Sequence, residues 1–466
     1  MLISIKMNKK NVKLFWPALP QKEDIFPRLE EILWPKEDKR PFIGEGDLVD
    51  KFEEKCSNKF GFDYVLFTNS GTSALDLALL GANVNKGDEV ITTPLTCTAT
   101  NLPIIGRQAK PVFADVQYET GNINPDDIED KITKKTKAIM VVHWGGYPCD
   151  MEEINGISKR HNLPIISDCA HALGATYHGK PLYEFADFNM FSLQSIKQMT
   201  TIDGGLLAVP FKNSKRNLVK MSQDPKIRKT LRAIFGDRIT KYFEDNERAV
   251  RLPKDYFKDE IFLKLKEEPL LSGEIIDEIT KNYDDFSSFW MEWQKAESLK
   301  RRRWFGIGRE ERAPAVGKGY FAYPTTESGG KFHATNIDAL VGIASLENLD
   351  KWQDKRNEIV KIYNDGLKNV KGVTLFEQEK DRTSGNWLYN IHVKRRNNFV
   401  EKMQERGVEC SIVHERNDIL PIFRKYNKGK YGNLDKINKD RVCIPLHHKL
   451  NNKDVEYVID CIKKGW

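Results

Sequence analysis

Three groups of residues in this chain could do chemistry together: a lysine, an upstream carboxylate, and a turn of small hydroxyl residues. The lysine is Lys197, in Phe191-Ser192-Leu193-Gln194-Ser195-Ile196-Lys197. An apolar run that reads as a strand leads into it, and Gly204-Gly205 opens the next strand. A lysine held between two turns is placed to enter a pocket and form a Schiff base with a carbonyl. Alone it decides little, because 74 residues are Lys or Arg and most such side chains solvate a surface. The carboxylate is Asp168, at the carboxyl end of the apolar run Ile165-Ile166-Ser167, where open α/β sheets place ligand groups. It could face a ring nitrogen and keep it protonated. Followed by Cys169-Ala170-His171, it could equally be a helix N-cap. The turn is Ser70-Gly71-Thr72-Ser73, between a strand at Tyr64–Phe67 and an Ala/Leu-rich helix. Gly71 permits close approach of the backbone to a ligand. Hydroxyls and free amides at a helix start favour a phosphate dianion, although an ordinary capped helix would read the same way.

In chain order these are a phosphate cradle, a ring-nitrogen carboxylate and a lysine. Together they are the parts of a pyridoxal phosphate (PLP) site, in which the lysine serves as covalent anchor and proton shuttle.

Further motifs make the pattern specific. Gly87-Asp88-Glu89-Val90-Ile91 is followed by Lys110-Pro111-Val112-Phe113-Ala114-Asp115, and then by His143-Trp144-Gly145-Gly146-Tyr147-Pro148-Cys149-Asp150-Met151. With the Ser70, Asp168 and Lys197 segments, the stretch from about Phe42 to Val209 resembles the DegT/StrS sugar aminotransferases, which are fold-type I PLP enzymes. The resemblance resumes at Lys331–Gly342 and at Ile444–Leu450. It implies that Lys197 forms the internal aldimine and that Asp168 pairs with the pyridinium. It also implies that Ser70, Gly71, Thr72, Ser73 and Ser192 hold the phosphate, and that His171 lies near the ring. His333 would belong to a segment reaching toward the neighbouring subunit's cofactor, where many members have Asn. Cys97 stands where the family stacks an aromatic on the ring, and a small polarizable thiol can pack there. His447 and His448 would either contact substrate or cap local structure.

The elements that must position these residues alternate between residues 64 and 209. The pattern predicts strands at Tyr64–Phe67, Glu89–Thr93, Pro111–Asp115, Ala138–His143, Pro164–Ser167, Phe188–Leu193 and Leu206–Val209. Helices are predicted from Asn124-Pro125, a cap followed by proline, and over Met151–His161. Such alternation implies an α/β fold with a mostly parallel central sheet flanked by helices. A long helix over Ile337–Lys368 leads to a smaller C-terminal α+β domain. Its predicted strands are Val373–Phe376, Trp387–His392 and Glu409–Ile412, and its predicted helices Glu401–Arg406 and Asp454–Lys463. The expected domains are 1–350, large and PLP-binding, and 351–466, small. Within the first, about 212–296 is a charged, helical insertion without counterpart in the family. It contains the amphipathic piece Glu274–Ile279 and the aromatic cluster Phe286–Trp293, and reads either as a lid or interface element or as a surface insertion. The basic run Lys300–Arg303 could meet a pyrophosphate, but reads better as a solvated helix face. Trp304–Arg309 marks where the family pattern re-enters.

Composition narrows the class. A chain of 466 residues can hold two domains and a sizeable core. The net charge of +7 is spread among interspersed acids and bases, too mild for a nucleic-acid partner. Seven scattered cysteines with no CxxC spacing argue against a disulfide framework or a zinc site, so no metal is expected and a cytoplasmic setting is the default. No apolar run long enough for a signal peptide or membrane span is seen.

The reading is a PLP-dependent aminotransferase. It would move an amino group from an amino acid, by resemblance L-glutamate, to a nucleotide-linked keto-sugar through a pyridoxamine phosphate intermediate. The resemblance also implies a homodimer with shared active sites. One rival is a PLP-dependent sugar dehydratase, whose members replace the lysine with histidine, so Lys197 argues against it. The other is a non-catalytic regulatory protein that keeps the fold.

Overall fold

Strand–helix alternation after Tyr64 closes into a seven-stranded sheet. The computed structural model describes residues 10–35, 46–211, 283–306, 313–314, 321–322 and 327–466. The segment Glu274–Ile279, most of 212–296, and Gly308 and Arg309 lie outside the described residues, as do the side chains of residues 283–291. The chain divides into two compact units, residues 1–210 with 299–466, and residues 211–298.

The first unit begins with helices α1 (Lys22–Leu33) and α2 (Asp47–Phe60). Strands β1 (Tyr64–Thr68), β2 (Glu89–Thr92) and β3 (Lys110–Phe113) follow, alternating with α3 (Gly71–Gly81) and α4 (Thr98–Gly106). Next come α5 (Pro125–Glu129), β4 (Thr136–Val142), α6 (Met151–His161) and β5 (Ile165–Asp168). Two-residue strands β6 (Thr176–Tyr177) and β7 (Lys180–Pro181) precede β8 (Phe188–Ser192) and β9 (Gly205–Val209). The sheet order is β1-β9-β8-β5-β4-β2-β3. All neighbours are parallel except β9, which runs antiparallel to both β1 and β8. Every residue of β1, β5 and β9 is buried, as expected when both faces of a sheet are covered. Each sequence-predicted strand of this region lies within two residues of an observed one, and α6 has its predicted bounds.

Helix α7 (Tyr283–Arg302) leads back from the second unit. Strands β10 (Ala313–Pro314) and β11 (Phe321–Ala322) form a short pair. Helix α8 (Asn336–Leu367) starts at Thr335, whose side chain accepts from the Asp338 amide while the Asp338 carboxylate accepts from the Thr335 amide. This reciprocal cap satisfies two otherwise orphaned donors. Beyond it, β12 (Val373–Leu375), β14 (Tyr389–Val393) and β15 (Arg441–Ile444) form a three-stranded sheet, and β13 (Arg382–Thr383) pairs with β6. Helices α9 (Arg396–Glu405), α10 (Gly432–Asp440) and α11 (Asn452–Lys463) complete the chain. The predicted strand Glu409–Ile412 is corrected: only Ser411 bridges, to Cys443, and the third strand is β15. The strand predicted from Trp387 begins instead at Tyr389, leaving Trp387 in a loop.

One buried ion pair braces the sheet edge that leads to the Ser70 turn. Arg303 Nη1 donates to Glu53 and also to the Phe67 carbonyl at 2.9 Å. Glu53 in turn accepts from the Phe67 amide at 2.7 Å. The expected solvated run Lys300–Arg303 is therefore corrected at its last member, because Arg303 is fully buried. Arg301 and Arg302 pair with Glu327. Removing one partner of a buried pair strands the other charge. Arg303→Met should cost about 3–5 kcal/mol of unfolding free energy, while Glu53→Gln/Arg303→Met should recover part of it, as read by urea denaturation.

Candidate active site

Strand register brings the three sequence motifs to one edge of the sheet. Gly205 pairs with both Thr68 and Ser192, and Asp168 pairs with Met190, two residues before Ser192. The ends of β1, β5 and β8 and the start of β9 are thus adjacent. A Cβ on Gly205 would come within 2.6 Å of the Gly71 nitrogen, and one on Gly71 within 3.3 Å of the Ser192 Cβ. Small residues at these points let the Ser70 turn and Ser192 meet.

Ser70 caps α3, its Oγ accepting from the Ser73 amide at 3.1 Å. The Gly71 and Thr72 amides that follow have no intrahelical acceptor. With the hydroxyls of Ser70, Thr72, Ser73 and Ser192 they form a concave, positively polarised end suited to an anion. Residues 331–333 lie alongside in the same chain: His333 bridges Thr68, and Asn69 donates to the Phe332 carbonyl at 2.8 Å. The His333 ring packs on Trp304 with centroids 4.0 Å apart.

Asp168 is buried. Its Oδ2 accepts from Thr100 Oγ1 at 2.7 Å and its Oδ1 from the Ala170 amide at 3.0 Å. No helix starts at residue 169, so the helix-cap alternative is set aside in favour of a turn. Burial raises the carboxyl above its ordinary range, against the pull of Thr100, Ala170 and Lys197. Thr100 is itself linked to Thr96 Oγ1 at 2.7 Å, one helical turn earlier. Cys97, between them, is half-buried at the start of α4.

Lys197 sits in a turn, its amide donating to the Gln194 carbonyl at 2.9 Å. Its side chain is buried, and burial lowers the amine to about 8, with Asp168 and Cys97 pulling the other way. The loop after it carries strain. Ile202 has φ +76°, a left-handed conformation that β-branched residues disfavour. The Ile202 amide bonds to Thr200 Oγ1 at 2.9 Å and Gly204 donates to Asp203 Oδ1 at 2.9 Å.

His171 is buried, with its Nδ1 unpartnered among the described residues. Its ring stacks on Trp387 at 3.9 Å and lies parallel to His414 at 6.0 Å. Burial and the Lys197 charge hold both histidines well below the usual imidazole range, His414 at about 3. His143 fixes the turn beside them, its carbonyl accepting from Gly146 at 3.0 Å. Its Nδ1 accepts from the Cys149 amide, so Nε2 carries the proton toward Ser167 Oγ. Gly146, at φ +105°, could carry no Cβ: it would lie 2.6 Å from the His171 carbonyl and 2.7 Å from the Asn386 nitrogen. That close approach admits the loop carrying Trp387.

His447 and His448 are not joined to this cluster. His447 Nε2 meets the Lys13 carbonyl at 3.1 Å, and His448 packs on Trp352. Sequence reasoning missed Thr100, Trp387 and His414. A Thr-x-x-x-Thr spacing at the start of α4 was the available sign for Thr100. For the other two, the contacts run from Trp387 to Lys197 and from His414 to His171, across about 190 and 240 residues, and left none.

The donor set fits PLP. It offers a hydroxyl-lined helix start for a phosphate, a buried carboxylate that gains from a cationic neighbour, a weakly basic lysine and an unpartnered histidine nitrogen. Among the described residues no cluster of three or more His, Cys, Asp or Glu could hold a metal, and no helix is long and apolar enough to cross a membrane.

Fold and site thus define a PLP-dependent aminotransferase. The chain belongs to the DegT/DnrJ/EryC1/StrS aminotransferase family, whose sequence profile matches residues 23–230 and 294–463. It is 40% identical over 463 residues to the GDP-perosamine synthase of Escherichia coli O157:H7, covering 98% of each chain. Among solved structures it resembles the sugar aminotransferase CalS13 from Micromonospora echinospora, with a TM-score of 0.74, 25% identity and coverage of 98% and 100%. AtS13 from Actinomadura melliaura matches equally, at 0.74, 27%, 98% and 100%. A non-catalytic role is set aside by these relatives.

Thr100 can be tested directly. Thr100→Val leaves Asp168 Oδ2 without its donor, which should cost about 1–3 kcal/mol of stability. The carboxyl, already raised by burial, should rise further. Its stabilising contribution is present at low pH and lost as pH climbs through the folded value. The deficit against wild type should therefore be largest near neutrality and shrink on acidification, in denaturation series at several pH values.

Proposed function

We propose that the protein transfers an amino group from L-glutamate to a nucleotide-linked keto-sugar, with Lys197 and Asp168 as the catalytic pair. The observation that carries this reading is the buried, weakly basic Lys197 amine beside the buried Asp168 carboxylate. Bound PLP supplies a carbonyl for amine exchange and a ring that draws electrons from a breaking C–H bond. Lys197 takes the proton from the donor's α-carbon in the first half-reaction and delivers one to the sugar carbon in the second. An amine near about 8 is close enough to neutrality to act in both directions. Asp168 keeps the ring nitrogen protonated, and Thr100 and the Ala170 amide fix the carboxylate's orientation. Ser70, Gly71, Thr72, Ser73 and Ser192 hold the phosphate. By the family resemblance Cys97 and His171 would lie beside the ring.

The sugar is taken to be linked to a guanosine diphosphate, supported by the 40% identity to a GDP-perosamine synthase along almost the whole chain. His447 and His448 remain candidate substrate contacts, although the bond of His447 to the Lys13 carbonyl and the packing of His448 on Trp352 support the local-structure alternative. The same resemblance supports a cofactor-binding domain over 1–350 and a smaller domain over 351–466. It also supports a homodimer in which the segment around His333 completes the partner's site.

The test is the visible absorbance band of PLP held on a lysine. Wild type should show the band, L-glutamate should discharge it, and the keto form of the GDP-sugar should restore it. Lys197→Ala should show none of the three changes. A band that glutamate leaves untouched would overturn the assigned donor.

A further inference from the structure

Trp387 belongs to none of the motifs that announce the site, yet it touches the reacting amine. Its indole is buried to 1% exposure. Lys197 Nζ lies 3.6 Å from the centre of that ring. The indole Nε1–H donates to the carbonyl of Ile196, the residue before the lysine, at 2.8 Å. His171 supports the ring by stacking at an interplanar angle of 24°. The backbone is equally fixed, since the Trp387 and Leu388 amides both donate to the Gly145 carbonyl at 3.0 Å. Gln198 and Gln353 both donate to the Gly385 carbonyl at 3.2 Å. One side chain thus holds both the amine and the main chain that carries it.

We infer that Trp387 is a positioning residue for Lys197: its ring is the shelf on which the amine rests whenever it is free, and its N–H anchors the turn from which the amine swings. The inference rests on the reading of Lys197 as the reacting amine. A transaminating lysine is displaced in each half-reaction, and its four-carbon stem has many rotamers to explore. An ammonium over an indole face is attracted by the ring quadrupole, most strongly where water is excluded. The shelf therefore selects one arrangement of the freed side chain and keeps it beside Asp168. It also favours the protonated amine, opposing the burial that favours the neutral one. The titratable groups acting on this amine are Asp168 at the end of β5, Cys97 at the start of α4, and the histidines His171 and His414. Arg441 acts on His414 from β15. Of these, His171 and His414 themselves pack on Trp387, and all are retained in the sequence when Trp387 alone is changed.

The test reads the amine itself in the full-length protein stripped of cofactor. Trace acetylation at a series of pH values, quantified on the Lys197 peptide by mass spectrometry, gives the titration midpoint, near about 8 in wild type. Trp387→Leu removes the ring and should lower the midpoint by about one pH unit, raising labelling about tenfold at pH values below it. Trp387→Phe keeps an aromatic face while losing the indole N–H, and its midpoint should stay close to wild type. If Trp387→Leu does not fold, Trp387→Met, which fills the space without a ring, takes its place. An unchanged midpoint in the ringless variant, or an equal drop in Trp387→Phe, overturns the inference. Labelling does not depend on the cofactor. A protein that shows the predicted midpoints but no visible PLP band would sink the functional reading and leave the shelf standing. The reverse pattern would sink only the shelf.

Discussion

Burial of the Lys197 amine is the constraint on which the site depends. A lysine in water is held charged and is neither nucleophile nor base near neutrality. Here burial outweighs the attraction of Asp168 and Cys97 and brings the amine to about 8. The same exclusion of water raises Asp168 and keeps His171 and His414 neutral. The result is a region that favours the uncharged form of each of these groups. A cationic ring nitrogen beside Asp168 and a phosphate at the start of α3 would each supply a charge that the surrounding protein lacks.

The sheet delivers these groups by adjacency. Strand β8 lies between β5 and β9, and β9 lies between β8 and β1. Asp168, Ser192 and the Ser70 turn, distant in sequence, therefore emerge side by side. The antiparallel insertion of β9 matters here, because it places Gly205 against both Thr68 and Ser192. The remaining wall comes from the chain beyond α8. The Trp387 loop enters over Gly145 and Gly146, and Asn417 donates to the Thr96 carbonyl while accepting from Asn101. Those polar contacts, buried and satisfied, hold the turn that carries Cys97.

Much of this was legible in the sequence. Asp168 sits at a strand end, Ser70-Gly71-Thr72-Ser73 just past one, and Lys197 in the turn that follows β8, and strand ends are marked by apolar runs stopping at small or polar residues. Asp168 alone was ambiguous, because a cap and a ligand look alike until the absence of a helix after it and the hydrogen bond from Thr100 are seen. Trp387 and His414 were illegible for a different reason. Their roles come from packing across long sequence separations, and a tryptophan at the edge of a predicted strand reads as core. The Glu409–Ile412 stretch shows the limit of periodicity: its alternation suits a strand, but the Arg441–Ile444 segment takes the pairing with β14. Arg303 was likewise hidden, since nothing local distinguishes the one arginine of its run that turns inward to Glu53.

The most direct measurement is the site of covalent attachment. Borohydride reduction of the PLP-loaded protein fixes the cofactor to whichever amine carries it, and peptide mass mapping then locates it. The account predicts the added mass on the peptide containing Lys197 and no other. Attachment to a different lysine, or a loaded protein with no modified lysine, would contradict it.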